Sequence, residues 1–228
     1  MNKDIYFDYN PWWEGDLKLK NIIERPLFIK KMEEVFKSKS LVFLTGLRRI
    51  GKTTLLKLFI NRMIENGIDP GHIFYVSLDD YLLRGKTIIE IVNEFRKIQK
   101  IRKEEMIYLF LDEVASVEHF HQQLKNLYDK YNLKIYAASS SSSILKDRKA
   151  FLTGREYIIE VLPLDFEEYL LFNNLQFSKR DFQLKVSYFE DFLKTGGIPE
   201  FVLNNERGYL QSLVSDIIYK DIIALNKI

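Results

Sequence analysis

Residues 41–56 read Leu41-Val42-Phe43-Leu44-Thr45-Gly46-Leu47-Arg48-Arg49-Ile50-Gly51-Lys52-Thr53-Thr54-Leu55-Leu56. The apolar run Leu41 to Leu44 reads as a buried strand. From Thr54 to about Ile64 apolar residues recur at helical spacing. Between the two lies Gly-x-x-x-x-Gly-Lys-Thr (Gly46, Gly51, Lys52, Thr53), a P-loop in the strand–loop–helix setting that it requires.

That spacing has a chemical logic. Gly46 and Gly51 let the backbone turn and approach a polyphosphate with no Cβ in the way. The N–H groups of Leu47, Arg48, Arg49 and Ile50, with the helix start at Lys52, Thr53 and Thr54, then face the anion. Lys52 reaches the β- and γ-phosphates, and the Thr53 hydroxyl can ligate Mg²⁺. A glycine-bearing turn could spell the same residues by chance, but the flanking strand and helix argue against it. The motif implies nucleotide binding.

Working outward, Met106 to Leu111 is six apolar residues in a row, as in a parallel strand buried on both faces. It ends in Asp112-Glu113. After a P-loop, such an ending places Asp112 at the metal, indirectly or through water, opposite Thr53. Glu113 then polarises an attacking water as general base.

Bulk properties exclude more than they assign. With 34 basic and 32 acidic residues the net charge is +2, so no overall electrostatic case for nucleic acid or a membrane surface exists, although a local patch remains open. The chain of 228 residues contains no cysteine, which rules out disulfides, thiolate metal sites and cysteine nucleophiles. No signal peptide and no run of about 18 apolar residues is present, so a cytoplasmic location is expected.

Along the rest of the chain, residues 1–24 form an aromatic-rich arm (Tyr6, Phe7, Tyr9, Trp12, Trp13) expected to pack onto the domain. Helices are expected from Pro26 to about Phe36, Thr87 to about Lys100 and Val117 to Tyr131. Further strands are expected at His72–Leu78, Leu133–Ala138 and Tyr157–Val161. Asp79-Asp80 is either a solvated turn or a pair touching water near the phosphates. His119 and His121, two apart in a helix, point to different faces and do not form a metal site. Ser139 or Ser140, at the tip of the fourth strand, either senses the γ-phosphate or belongs to a serine-rich loop capping a helix. Arg155 either supplies a guanidinium to a γ-phosphate, in cis or in a neighbouring subunit, or pairs with a carboxylate in place. After Pro163-Leu164 the pattern turns helical, with a sharp break at Thr195-Gly196-Gly197-Ile198-Pro199. The expected organisation is an arm (1–24), a core (25–162) and a helical subdomain (163–228).

The ordered set G-L-R-R-I-G-K-T-T (46–54), F-L-D-E (110–113), the serine run (139–143), L-T-G-R (152–155), L-P-L-D-F-E-E-Y (162–169) and G-G-I-P-E (196–200) resembles the archaeal-type P-loop ATPases of the AAA+/STAND-like group, over about residues 10–225. The N-P-W-W at 10–13 is similar to a feature of archaeal members. The resemblance implies an α/β fold with a parallel five-stranded sheet in the order 5-1-4-3-2 and a C-terminal helical lid. It implies ATP or ADP and Mg²⁺ as ligands. It brings Gly197, Ile198 and Pro199 to the nucleotide base, with Ile23 and Arg25 on its other side. Relatives usually show Thr-Gly-Ser-Ser where this chain has Ala138-Ser139-Ser140-Ser141, and they commonly continue into a C-terminal output domain.

The expected function is an ATP-hydrolysing switch. The alternatives are a nucleotide-dependent regulatory or assembly module with little turnover and a small-molecule P-loop kinase. The adjacent carboxylates suit water activation better than positioning an acceptor. Guanine is not expected, since no N-K-x-D-type reader follows the core strands. A homo-oligomer is open, and a DNA or protein partner cannot be named from the residues.

Overall fold

The computed structural model describes residues 4–15, 22–139, 154–178 and 180–219. The chain divides into two units, Met1–Thr45 with Lys52–Glu160, and Gly46–Gly51 with Val161–Ile228.

The first unit is built on five parallel strands: β1 (Leu41–Thr45), β2 (Ile73–Ser77), β3 (Ile107–Asp112), β4 (Leu133–Ala138) and β5 (Glu156–Glu160). Their order is β2-β3-β4-β1-β5. This is the expected order read from the other edge. Strands β1 and β4 are buried along their whole length, as strands covered on both faces must be. In register, Tyr75 lies beside Phe110 and Ser77 beside Asp112, so Tyr75, Ser77, Phe110 and Asp112 share one face of the sheet. Phe59, from α3 (Lys52–Glu65), packs on that face against Phe110 and Tyr136. Helices α4 (Ile88–Gln99) and α5 (Phe120–Lys130) contribute Ile91, Val92, Phe95, Leu124 and Leu127 to a core that also holds Phe74, Val76, Leu109 and Leu111.

Two local results depart from the expected boundaries. Helix α5 starts three residues late because His119 takes a left-handed conformation (φ 54°) and serves as its N-cap. The arm, which shows no clear period, contains a short helix α1 (Asp4–Tyr9) followed by a turn at Pro11–Glu14. It covers the outer edge of β2. The Asn10 side chain accepts from Tyr75 N (2.7 Å) and donates to Tyr75 O (2.9 Å), and the Trp12 and Trp13 indoles both donate to Ile73 O. An edge strand otherwise offers these groups to another chain, and here side chains satisfy them. The remaining helix of this unit, α2 (Pro26–Glu34), gives its Met32 carbonyl to Tyr136 Oη at 2.9 Å.

The second unit is helical: α6 (Phe166–Phe172), α7 (Phe182–Thr195), α8 (Pro199–Asn204) and α9 (Arg207–Asp216). Among the described residues no strand follows Glu160. A capping box joins Asp165 and Glu168 at the start of α6. Leu164, Tyr169 and Val202 form a small core with Phe166, Phe172, Leu175 and Phe192 around it. Gly197 is required where it stands, since a Cβ there would lie 2.4 Å from Leu164 O.

Candidate active site

The strand–loop–helix order places the loop between Thr45, the last residue of β1, and Lys52, the first of α3. Gly46 has φ 147°, and a Cβ on it would fall 2.3 Å from Val161 O, so any other residue meets both strain and a collision. Arg49 is held at φ 59° without being glycine, a conformation that costs energy and concentrates at functional loops. Leu47 and Arg49 are exposed, Arg48 is partly so, and Ile50 is buried. The Arg49 guanidinium stands 3.4 Å from Asp216 and over the Tyr209 ring. Lys52 is buried and Thr54 half-buried in the first turn of α3, whose positive end complements an anion.

Asp112 ends β3 as a buried carboxylate, and Thr53 Oγ1, from the first turn of α3, donates to its Oδ2 at 2.5 Å. Tyr75 Oη donates to the same Oδ2 at 3.1 Å, and Glu113 N donates to Oδ1 at 3.0 Å. Burial, together with the neighbouring Asp112, pushes the Tyr75 phenol well above its ordinary value, which keeps it a donor. Glu113 takes the left-handed region (φ 48°, ψ 45°), so the chain turns abruptly just beyond the strand. A hydroxyl and a carboxylate this close are the hard oxygen ligands that Mg²⁺ prefers. Among the described residues no group of three or more His, Cys, Asp or Glu could hold a metal by itself. The pair thus fits a cation shared with a bound phosphate, the usual arrangement for Mg²⁺.

The AAA domain family model matches residues 38–170, more than half of the chain. The chain belongs to the AAA domain family. Two uncharacterized proteins of Methanocaldococcus jannaschii are similar to it. One is 30% identical over 220 residues, covering 92% of this chain and 47% of its own length. The other is 32% identical over 210 residues, covering 81% and 44%. An uncharacterized Haemophilus influenzae protein is 25% identical, with 92% and 51% covered. The chain spans about half the length of these curated relatives. Among solved structures, the S. cerevisiae Hsp104–casein complex aligns with TM-score 0.53 at 18% identity, covering 89% of this chain and 39% of that one. A DNA replication initiation factor aligns with TM-score 0.51 at 18% identity, covering 93% and 67%. At these identities the likeness speaks to the fold, a P-loop ATPase fold.

In this AAA domain the other candidate residues are distributed unevenly. Ser139 is buried at the carboxyl end of β4, its N–H bonded to Leu44 O at 3.1 Å, at the same end of the sheet as Thr45 and Asp112. Ser140 lies outside the described residues. Arg155 precedes β5, and its carbonyl accepts from Leu41 N at 2.8 Å. That position is the amino end of β1, a strand's length (roughly 15 Å) from Thr45. Arg155 stands at the opposite end of the sheet from Thr45 and Asp112. Its guanidinium instead stands 3.7 Å from Asp129 and over the Tyr128 ring, the in-place alternative. Ile23 is half-buried, while Arg25 is buried over the Phe28 ring just before α2. Pro199 opens α8 after Ile198 as N-cap. Asp79 and Asp80 follow β2, where Asp79 accepts from Ser77 Oγ and Asp80 from Tyr9 Oη. His121 is buried and His119 caps α5, so the two do not converge.

Tyr75 is the site residue that the sequence reading missed. In an alternating apolar strand a tyrosine reads as core. The one available signal was its place two residues before Ser77, one pleat from the strand's carboxyl end and on the face that carries Asp112.

Proposed function

We propose that this chain binds ATP with Mg²⁺ and hydrolyses it, acting as a switch whose nucleotide state a partner reads. The observation that carries the reading is the 2.5 Å bond between Thr53 of the P-loop helix and Asp112 at the strand end, with Glu113 next in sequence. In this reading Lys52 and the loop N–H groups bind the phosphates. Thr53 and Asp112 hold the cation, which when bound neutralises phosphate charge. Glu113, next to Asp112 in a left-handed turn, takes the proton from the attacking water. A homo-oligomer as the working form is part of this proposal. Ser139 is the described candidate for sensing the γ-phosphate.

The test is steady-state ATP hydrolysis with binding of a fluorescent ATP analogue measured alongside. Lys52→Ala is expected to weaken binding and abolish turnover. Glu113→Gln is expected to bind as the parent does and to lose at least about 100-fold in turnover. A parent that binds ATP but never turns it over, with DNA or alone, would overturn hydrolysis and leave the nucleotide-dependent regulatory module.

A further inference from the structure

We infer that Tyr75 is a positioning residue for the metal-binding carboxylate, and that the N-terminal arm fixes it in place; this rests on the Mg²⁺-ATP reading above. Asp112 Oδ2 has two side-chain donors, Thr53 Oγ1 and Tyr75 Oη. In that reading the Thr53 hydroxyl is itself a cation ligand, so its hydrogen bond to Asp112 is not a permanent support. Tyr75 has no such second duty. Its hydroxyl stays on Oδ2 while Glu113 N stays on Oδ1, and together they set the plane of the carboxylate.

The tyrosine is in turn constrained on several sides. Its backbone N and O are both taken by the Asn10 side chain, which pins the β2 edge at this residue. The Tyr9 ring lies 5.8 Å from the Tyr75 ring and is tied down by its own hydroxyl to Asp80 at 2.7 Å. Lys57 Nζ sits 5.3 Å over the Tyr75 ring, one helical turn after Thr53 on the same helix face. A segment 65 residues upstream in sequence thus bears on the orientation of Asp112. Carboxylates that bind metals are oriented by such outer hydrogen bonds, and losing one typically costs about 10–100-fold in metal affinity or activity.

The experiment uses the full chain with a non-hydrolysable ATP analogue and titrates Mn²⁺ by electron paramagnetic resonance. Fluorescent-nucleotide binding in EDTA is measured separately. Tyr75→Phe, which removes one oxygen, is expected to weaken Mn²⁺ about 10-fold while leaving metal-free nucleotide affinity unchanged. Tyr136→Phe removes a buried phenol that is bonded to Met32 O and not to Asp112, and is expected to keep the parent's Mn²⁺ affinity. Parent-like Mn²⁺ affinity in Tyr75→Phe overturns the inference alone. So does an equal loss in Tyr136→Phe, since the effect is then structural. A parent that binds neither nucleotide nor Mn²⁺ overturns the reading beneath it.

Discussion

At the carboxyl ends of the strands Asp112 is buried with three neutral donors on it, Thr53 Oγ1, Tyr75 Oη and the N–H of Glu113. At the amino ends of the same sheet Lys134, on β4, is equally buried. Its ammonium donates to Val35 O (2.6 Å), Ser38 O (2.8 Å) and Ser40 O (2.8 Å), with Ser38 Oγ at 3.3 Å. An ammonium has three protons, so these carbonyls use them all. A carboxylate offers about four lone-pair positions, and two of the three donors at Asp112 are hydroxyls, of which that of Thr53 can turn to a ligand. One end spends its buried charge on fastening the α2–β1 connection. The other holds a charge whose partners can be exchanged for a ligand. A buried charged group is therefore not by itself evidence of a site; its remaining capacity distinguishes the two cases.

The largest expected effect separates the ends by activity. Asp112→Asn keeps the shape and an acceptor for Thr53 but removes the anion. Turnover is expected to fall about 100-fold or more. Stability is expected to stay within about 1 kcal/mol, because relief of a buried charge is offset by the NH₂ group that then faces one of the donors now on the carboxylate. Hydrolysis rates and thermal melts of the same preparation check both halves. A variant that loses stability along with activity would make Asp112 a structural group like Lys134.

The next effect is on stability. Lys134→Met leaves three carbonyls without their shared donor, and a loss of about 3 kcal/mol at pH 7 is expected. Burial pushes the Lys134 pKa down to about 8 from 10.5. The sign follows from proton counts. Between those two values the unfolded chain holds the proton more fully than the folded one, so this lysine's contribution to stability grows with rising pH. The deficit of Lys134→Met against the parent is expected to widen from pH 8 to pH 10.5. The other lysines cancel in that difference. Denaturant unfolding of both proteins across the window measures it, and a constant deficit would mean that the folded and unfolded states titrate alike.

How far this contrast was legible in the sequence depends on the residue. Asp112-Glu113 announced itself because an apolar run ending in two carboxylates has few other uses after a P-loop. The strands were readable for a similar reason, since buried parallel strands leave uninterrupted apolar runs, whereas their order was implied by the family resemblance. Lys134 gave no signal. One lysine in Leu133-Lys134-Ile135-Tyr136 looks like an outward-facing position, and its partners come from residues 35–40, nearly a hundred positions earlier. Tyr75 was hidden similarly, as its role depends on a diagonal reach between neighbouring strands. Helix α1 escaped because six residues are too few for a helical period to show. Arg155 is a different case. In an all-parallel sheet a residue just before a strand stands at the end away from the P-loop, and one just after it, such as Ser139, stands at the same end. That rule was available from the strand order alone.

Arg155 also gives the smallest expected effect and the finest test of the contrast. Its ion pair with Asp129 is long, at 3.7 Å, with both side chains more than a third exposed. Such pairs contribute about 0.5 kcal/mol or less. The Tyr128 ring beneath the guanidinium adds a similar amount at an exposed site. Arg155→Ala is therefore expected to lower stability by no more than about 1 kcal/mol. Within one chain it stands at the fastening end of the sheet, so specific turnover is expected to stay within about twofold of the parent when both are dilute. The informative axis is protein concentration. If specific turnover of the parent climbs as subunits associate and that of Arg155→Ala does not, the guanidinium acts on a neighbour's nucleotide. The amino end of this sheet would then also carry function, supplied to another copy. If the two proteins track each other at every concentration, Arg155 belongs with Lys134 among the groups that fasten the fold.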